Sequence, residues 1–66
     1  MDKIFKIMKL SINLFDLVKF ENLRDGNEYL QKTTSYANGV WFIDVDNTKD
    51  IEWLLKKNGI RYKMKS

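Results

Sequence analysis

The sequence contains none of the residues that usually cross-link a small fold. The chain has 66 residues with neither cysteine nor histidine, so disulfides and ordinary Cys/His zinc sites are excluded. A chain of this length buries only about 60% of the surface that its unfolded form exposes. The core must stabilise the fold by packing alone or with help from a second copy, since self-association is a common way to bury more surface. We therefore expect one small domain, residues 1–66, that forms a homodimer.

The composition is that of a folded domain. Hydrophobic residues make up 44% of the chain and aromatic residues 14%, which is too apolar for a disordered tail and enough to fill a compact core. No stretch resembles a signal peptide or approaches the roughly 20 apolar residues that span a bilayer. The lack of cysteine is typical of a reducing compartment. We expect a cytoplasmic protein without a membrane partner, located in the host cytoplasm if it is viral.

The clearest predicted element is a helix from Thr48 to Asn58. Three apolar residues recur there at the i, i+3, i+4 spacing of one helix face: Ile51, Leu54 and Leu55. Asn47 is a suitable N-cap with Asp50 in the favourable first turn, and Gly59 follows at a position where glycine commonly ends a helix. Both ends of this helix are thus predicted by local chemistry.

Strands are predicted on both sides of this helix. Apolar and basic residues alternate over residues 60–65, as in a half-buried strand. Residues 40–46 are rich in β-branched and aromatic side chains, and Asn38-Gly39 before them is a typical hairpin turn. The other strand of that hairpin is predicted over residues 28–36. The predicted order is a hairpin, a helix and a final strand.

The N-terminal 25 residues fit two interpretations. Residues 3–12 alternate as a strand does, and residues 14–24 can form a helix with Asn13 as N-cap and Asp16 in its first turn. This interpretation completes a β-α-β-β-α-β order, the ferredoxin-like arrangement of a small antiparallel sheet packed on helices. The alternative is an N-terminal helix followed by a three-stranded meander, with the later helix and final strand unchanged. We favour the first and predict an α+β domain.

Residues 42–48 carry a motif that suggests catalysis. Their sequence, Phe-Ile-Asp-Val-Asp-Asn-Thr, resembles the first motif of the haloacid dehalogenase superfamily. The resemblance implies a phosphoryl-accepting nucleophile at Asp44 and a general acid/base at Asp46. Only 18 residues follow the motif, which leaves no room for the downstream lysine and metal-binding acids of that family. Without histidine or cysteine the usual activated nucleophiles cannot be built. We predict no enzyme and no catalytic, cofactor or metal site.

Charge is segregated along the chain. The net charge is +3, which favours an anionic partner. Residues 56–65 contain no acid and five cations: Lys56, Lys57, Arg61, Lys63 and Lys65. In the ferredoxin-like strand order 4-1-3-2 the first and last strands are neighbours, so Lys9 is expected beside Arg61 and Lys63. The sequence therefore predicts a basic patch on the sheet.

Aromatic and apolar side chains are expected on the same face of the sheet as this patch. If Trp41, Ile43 and Val45 face the helices, then Phe42 faces outward together with Phe5 and Ile7 of the first strand. Such a layout resembles the platform of RNA-recognition modules, where sheet aromatics stack on bases and cations contact phosphates. The other interpretation is an apolar patch covered by a second copy or by a protein partner.

Trp53 is predicted to lie off the apolar face of its helix. It is either a partly exposed anchor of the kind enriched at interfaces or a wide side chain that covers the edge of a small core. With Trp53 included, the predicted partner-binding residues come from the outer sheet face, the last helix and the last strand. They are Phe5, Ile7, Lys9, Phe42, Trp53, Arg61, Lys63 and Lys65.

These features predict a protein that binds a partner. Our first hypothesis is a small protein-interaction module that inhibits or regulates another protein. Very short chains rich in Lys, Asn and Ile are common among phage and mobile-element genes, so a host-takeover or anti-defence role is expected by association. The second hypothesis is a nucleic-acid-binding domain that uses the aromatic and basic sheet face.

Overall fold

A computed structural model describes residues 6–65 of the chain. It confirms an α+β domain with a small four-stranded antiparallel sheet. Two single-turn 3₁₀ helices, at Leu14–Asp16 and Val45–Asn47, precede longer helices. The main elements are β1 (Ile7–Ile12), α1 (Leu17–Asp25), α2 (Glu28–Thr33), β2 (Thr34–Ala37), β3 (Val40–Asp44), α3 (Thr48–Lys57) and β4 (Tyr62–Lys65).

The sheet has the order β2-β3-β1-β4, and all neighbouring strands are antiparallel. β1 thus lies between β3 and β4. Leu10 is its central core residue, since it is fully buried and has Trp41 as register partner on one side and Met64 on the other. In β3, Trp41 and Ile43 are buried while their neighbours are only half-buried. One sheet face therefore packs against the helices and the other faces outward.

The N-terminal region is a strand followed by a helix, as predicted. Residues 3–5 of the predicted strand lie outside the described residues. The predicted helix was wrong at its start, because residues 14–16 form a 3₁₀ turn and α1 begins at Leu17. The side chain of Asn13 does act as a cap, since its Oδ1 accepts a hydrogen bond from the N–H of Phe15 at 3.0 Å. Gly26 follows the last residue of α1.

The predicted strand over residues 28–36 was wrong for its first six residues, which form α2. Asn27 caps this helix, because its Oδ1 accepts a hydrogen bond from the N–H of Leu30 at 3.1 Å. The amide of Gln31 donates to the last two carbonyls of α1, those of Arg24 and Asp25. Leu30 is fully buried and joins α2 to the core. The cap and these tertiary contacts override the strand pattern, and only β2 remains extended.

The hairpin turn at Asn38-Gly39 is present as predicted. Both residues have positive φ, 52° and 80°, as a two-residue turn of type I′ requires. Glycine and asparagine tolerate this left-handed conformation better than other residues. The turn fixes the register in which Ala37 pairs with Val40.

The helix α3 is confirmed, but its N-terminus is built differently from the prediction. Asn47 makes no side-chain capping bond. Instead Oδ1 of Asp44 accepts a hydrogen bond from the N–H of Asp46 at 2.8 Å and starts the 3₁₀ turn before α3. This turn ends β3 at Asp44, and Val45 is exposed. The prediction that Val45 faces the helices was therefore wrong. At the other end Gly59 has φ +67°, as its predicted role requires.

The core lies between the inner sheet face and the helices. The rings of Phe20 in α1 and Trp41 in β3 meet edge-on with 4.9 Å between their centroids, a favourable aromatic geometry. Among residues 6–65, eight hydrophobic residues are buried: Leu10, Phe20, Leu30, Trp41, Ile43, Ile51, Leu55 and Ile60. The helices α1, α2 and α3 and the two central strands, β1 and β3, contribute to this cluster, and Tyr62 and Met64 of β4 pack against it.

Candidate partner-binding surfaces

The outer sheet face, defined here by Ile7, Lys9, Phe42, Lys63 and Lys65, holds five of the predicted binding residues. The side chain of Phe42 is half-buried, and the other four lie on alternate positions of β1 and β4. Lys9 has Phe42 as its register partner in β3 and Lys65 as its register partner in β4. The structure thus places an aromatic ring and a second lysine directly beside Lys9.

The pairing of Lys9 with Lys65 is electrostatically unfavourable within the protein. Directly opposite residues on neighbouring antiparallel strands have Cβ atoms only about 4.5–5.5 Å apart, and like charges in such pairs destabilise a sheet. Lys63 adds a third positive charge on the same face, opposite Ser11. Within residues 6–65, none of these lysines is in an ion pair. An anionic group bound on this face would relieve the repulsion.

A shallow groove next to these lysines joins β1 to β3. Its volume is about 270 Å³, and Ile7, Phe42 and Asp44 line it together with Thr33 and Ser35. Ile7 and Asp44 are register partners, so the outer face carries one carboxylate as well as the lysines. Phe5, which was predicted to extend the apolar part of this face, lies outside the described residues.

Arg61 is engaged within the protein, unlike the lysines of β4. Its Nε donates to Oδ2 of Asp16 at 2.8 Å, and its own backbone N–H donates to the same oxygen at 2.9 Å. The Asp16 side chain is only 5% exposed. These hydrogen bonds from Arg61, first from the guanidinium and then from the backbone, lower the pKa of Asp16 from its ordinary 3.8 to about 2. Arg61 therefore joins β4 to the start of α1.

Trp53 lies on the outward face of α3 with 60% of its surface exposed. Nζ of Lys57, one turn further along, lies 4.7 Å from the centroid of the Trp53 ring, within the range of a cation–π interaction. A groove of about 340 Å³ beside the ring is also lined by Tyr29, Asp50, Asn27 and Leu54. This exposure fits an anchor for a partner better than a side chain that covers the edge of the core.

Tyr29 and Asp50 connect α2 to α3 at this groove. The hydroxyl of Tyr29 lies 3.4 Å from Oδ2 of Asp50, which is long for a hydrogen bond. Burial, followed by the nearby Asp50 carboxylate, raises the pKa of Tyr29. Trp53 is separate from the outer sheet face, because α3 packs on the opposite side of the sheet.

Sequence reasoning missed a third surface, the apolar end cluster, which consists of Leu14, Phe15 and Val18. Their side chains are 78%, 85% and 67% exposed. A signal for it was present, because α1 and the turn before it hold more apolar residues than one helix face can bury. Phe20 and Leu23 contact the core, and the cluster residues fall on other sides of the helix.

One of the two acids of the dehalogenase-like motif, Asp44, has a local structural role. Asp44 accepts the backbone hydrogen bond that starts the 3₁₀ turn, and the exposed Asp46 lies within that turn. Among residues 6–65, no group of three or more acidic side chains is arranged to hold a metal ion. The short resemblance therefore coincides with a strand-to-helix connection capped by Asp44.

Comparisons with protein-family models, curated proteins and solved structures give no match to this chain. In the part of the chain that the structure describes, each helix is too short or too polar to cross a bilayer. The three surfaces described above are therefore the candidate sites of function.

Proposed function

We propose that this protein is a small non-enzymatic interaction module that docks its outer sheet face onto an acidic surface of another protein and thereby inhibits or regulates it. The observation that carries the proposal is the cross-strand pair of Lys9 and Lys65, with Phe42 beside it. A like-charge pair costs stability in the free protein. It becomes favourable when a carboxylate of a partner lies between the two ammonium groups.

The fold supports such a role. Read from the β4 edge, the strand order is 4-1-3-2 with antiparallel neighbours, which supports assignment to the ferredoxin-like arrangement. Its helices pack on one side and leave the two central strands, β1 and β3, accessible on the other. Side chains on central strands are held by neighbours on both sides, so a binding surface built there is pre-organised.

A nucleic-acid partner is the second candidate for the same face. Lysines at positions 9, 63 and 65 could contact phosphates, and Phe42 could stack on a base. The modest charge of the protein favours the protein partner instead. The net charge is only +3, and because Arg61 is already bonded to Asp16, three lysines remain on the described part of this face to neutralise phosphates, which is few for a nucleic-acid site.

The setting of this function is proposed from the sequence. The lack of cysteine agrees with a cytoplasmic location. The composition, rich in Lys, Asn and Ile, is the reason to propose a phage or mobile-element gene whose product acts on a host protein. A regulator of this kind needs no cofactor, which fits a role based on surface complementarity.

The proposal can be tested with two probes and a pair of matched variants. Binding of a short single-stranded oligonucleotide and of an acidic peptide rich in Glu and Leu would be followed by fluorescence anisotropy over a salt series. Lys9→Glu removes the centre of the outer sheet face, and Lys56→Glu makes the same charge change on the exposed side of α3. Circular dichroism would show that both variants remain folded.

We expect the peptide to bind the wild type and Lys56→Glu but not Lys9→Glu, with an affinity that falls gently with salt because few charges are involved. Oligonucleotide binding that falls steeply with salt and is abolished by Lys9→Glu would favour the second candidate. Equal binding of both probes by the two variants, or none by the wild type, would refute the outer sheet face as the site.

A further inference from the structure

The apolar end cluster is unusual for a surface on a small protein. Phe15 exposes 85% of its area, more than any other large hydrophobic residue in the described part of the chain. Leu14 and Phe15 lie in the 3₁₀ turn and Val18 lies in the first turn of α1, so the three exposed side chains come from one stretch, residues 14–18. Exposed apolar side chains grouped in this way mark interaction sites.

The cluster is held rigidly by the segment that carries it. Asn13 accepts from the N–H of Phe15 through its side chain and from the N–H of Asp16 through its carbonyl, at 3.0 and 2.8 Å. The N–H of Asn13 in turn donates to the carbonyl of Arg61 at 2.9 Å, and the Asp16 carboxylate binds the Arg61 side chain. A partner therefore meets a surface whose backbone is already ordered, which reduces the entropic cost of binding.

Charge distinguishes this cluster from the other two exposed surfaces. The outer sheet face carries Lys9, Lys63 and Lys65 with Asp44 nearby, and helical spacing places Lys49, Lys56 and Lys57 around Trp53 on α3, where Asp50 lines the same groove. Both surfaces carry more cations than anions, so two copies of either would repel one another. The three residues of the cluster are uncharged, and Asp16 beneath them is neutralised by Arg61.

We propose that the apolar end cluster is the interface between two copies of this chain. In a twofold-symmetric dimer the same patch meets itself, so the patch must be self-complementary. A neutral apolar patch satisfies this condition better than a surface with an excess of one charge. Its rim holds one exposed cation, Lys19, and one exposed anion, Glu21, and these can pair across a twofold axis. This dimer leaves the outer sheet face free for a different partner.

The size of the cluster predicts a weak dimer. Three side chains of this kind supply roughly half of the about 800 Å² that each partner buries in a standard interface. We therefore expect a dissociation constant in the micromolar to millimolar range. Because the contact is apolar, its strength should change little between low and high salt.

The test measures self-association of the whole chain with and without the cluster. Sedimentation velocity and amide NMR spectra would be recorded over a range of concentrations from micromolar to millimolar. Phe15→Ser and Val18→Glu each alter one cluster residue that makes no core contact. Trp53→Ser is the matched control, because it removes another exposed aromatic side chain from a helix surface. Lys9→Glu tests whether self-association is independent of the outer sheet face.

We expect the wild type, Trp53→Ser and Lys9→Glu to dimerise as concentration rises, with amide shifts centred on residues 14–18. Phe15→Ser and Val18→Glu should give the spectra of a folded protein. The dissociation constant of the dimer should rise at least tenfold in each variant. A wild type that stays monomeric at millimolar concentration overturns the proposal. Self-association that survives both cluster variants, or that disappears in Trp53→Ser, overturns it as well.

Discussion

The positive charges at the two ends of β4 lie in opposite electrostatic environments. Just before the strand, Arg61 meets a carboxylate that is almost fully buried, and two hydrogen bonds to one oxygen of Asp16 measure 2.8 and 2.9 Å. Within the strand, Lys63 lies opposite Ser11 and Lys65 lies opposite another lysine, Lys9. Cations from the same short segment therefore belong to two different environments.

This difference separates a stabilising charge from charges available to a partner. The Asp16 carboxylate holds the loop after β1 to the residue before β4, so the Arg61 charge is used in folding. A hydrogen-bonded pair with one buried member contributes more than an exposed pair, because the buried member has lost its water and depends on the pair for its hydrogen bonds. Lys9 and Lys65 weaken the free protein slightly and gain only when an anion is bound.

The largest effect is expected from breaking the Asp16–Arg61 pair. Asp16→Asn keeps the size of the side chain but removes the charge that accepts from the guanidinium and the backbone N–H of Arg61. We expect Tm to fall by roughly 5 °C or more. Thermal unfolding followed by circular dichroism would measure the change.

The control for this variant is Asp25→Asn, which removes a carboxylate from the exposed end of α1. It has the same change in net charge and should leave Tm nearly unchanged. Equal shifts for Asp16→Asn and Asp25→Asn would mean that the two variants act through net charge alone. The proposed distinction between the two ends of β4 would then be wrong.

The pH dependence of stability is the second way to test this pair. The pKa of Asp16 is about 2 in the folded protein and 3.8 ordinarily, so the unfolded chain binds this proton more readily. The stabilisation by Asp16 is therefore complete above about pH 5 and is lost as the pH falls through 4 towards 2. The gap in Tm between wild type and Asp16→Asn should be constant at neutral pH and close in acid. A gap that persists undiminished at pH 2 would contradict the assignment.

Much of the fold could be predicted from the sequence where local chemistry and tertiary packing agree. In α3, the apolar spacing of Ile51 and Leu55 and the glycine after the helix point to the same element, and the structure contains it. The Asn38-Gly39 turn was equally secure, because few other dipeptides adopt positive φ at both positions. The alternation in β4 was correct for the same reason, since its apolar side chains face the core.

The α2 segment shows where prediction from pattern alone stops. Its residues alternate well enough for a strand, and six of them would make a marginal helix in isolation. The helix forms because Asn27 caps it and Gln31 connects it to the end of α1. Both contacts depend on where α1 ends in space, which the sequence pattern does not reveal.

The placement of the surface lysines could be predicted from the sequence. The ion pair of Arg61 and the exposure of Phe15 could not. Alternation along β1 and β4 was enough to place Lys9, Lys63 and Lys65 on one face. The partner of Arg61 is 45 residues away in sequence, so no local pattern could identify it. Phe15 was overlooked because an apolar residue in an amphipathic segment is expected to be buried, and its exposure depends on the 3₁₀ turn before α1.

The smallest expected effect comes from reversing one charge of the Lys9–Lys65 pair. Lys65→Glu places an acid directly opposite Lys9 and converts a repulsive cross-strand pair into an attractive one. We expect the free energy of unfolding to rise by about 0.2–1 kcal/mol at low ionic strength. The gain should shrink as salt is added, because the pair is exposed and screened. Urea unfolding at low and high salt would measure it.

Lys63→Glu is the matched control, since it makes the same charge change on the same strand but opposite Ser11. It should give a smaller gain than Lys65→Glu, and the difference between the two isolates the cross-strand pair from the change in net charge. Lys65→Glu should also weaken binding of an anionic partner while stabilising the free protein. That opposite response of stability and binding is expected of a charge kept for a partner, and it contrasts with Asp16→Asn, which should lower stability. Destabilisation by Lys65→Glu would show that the lysine pair contributes to folding and not to recognition.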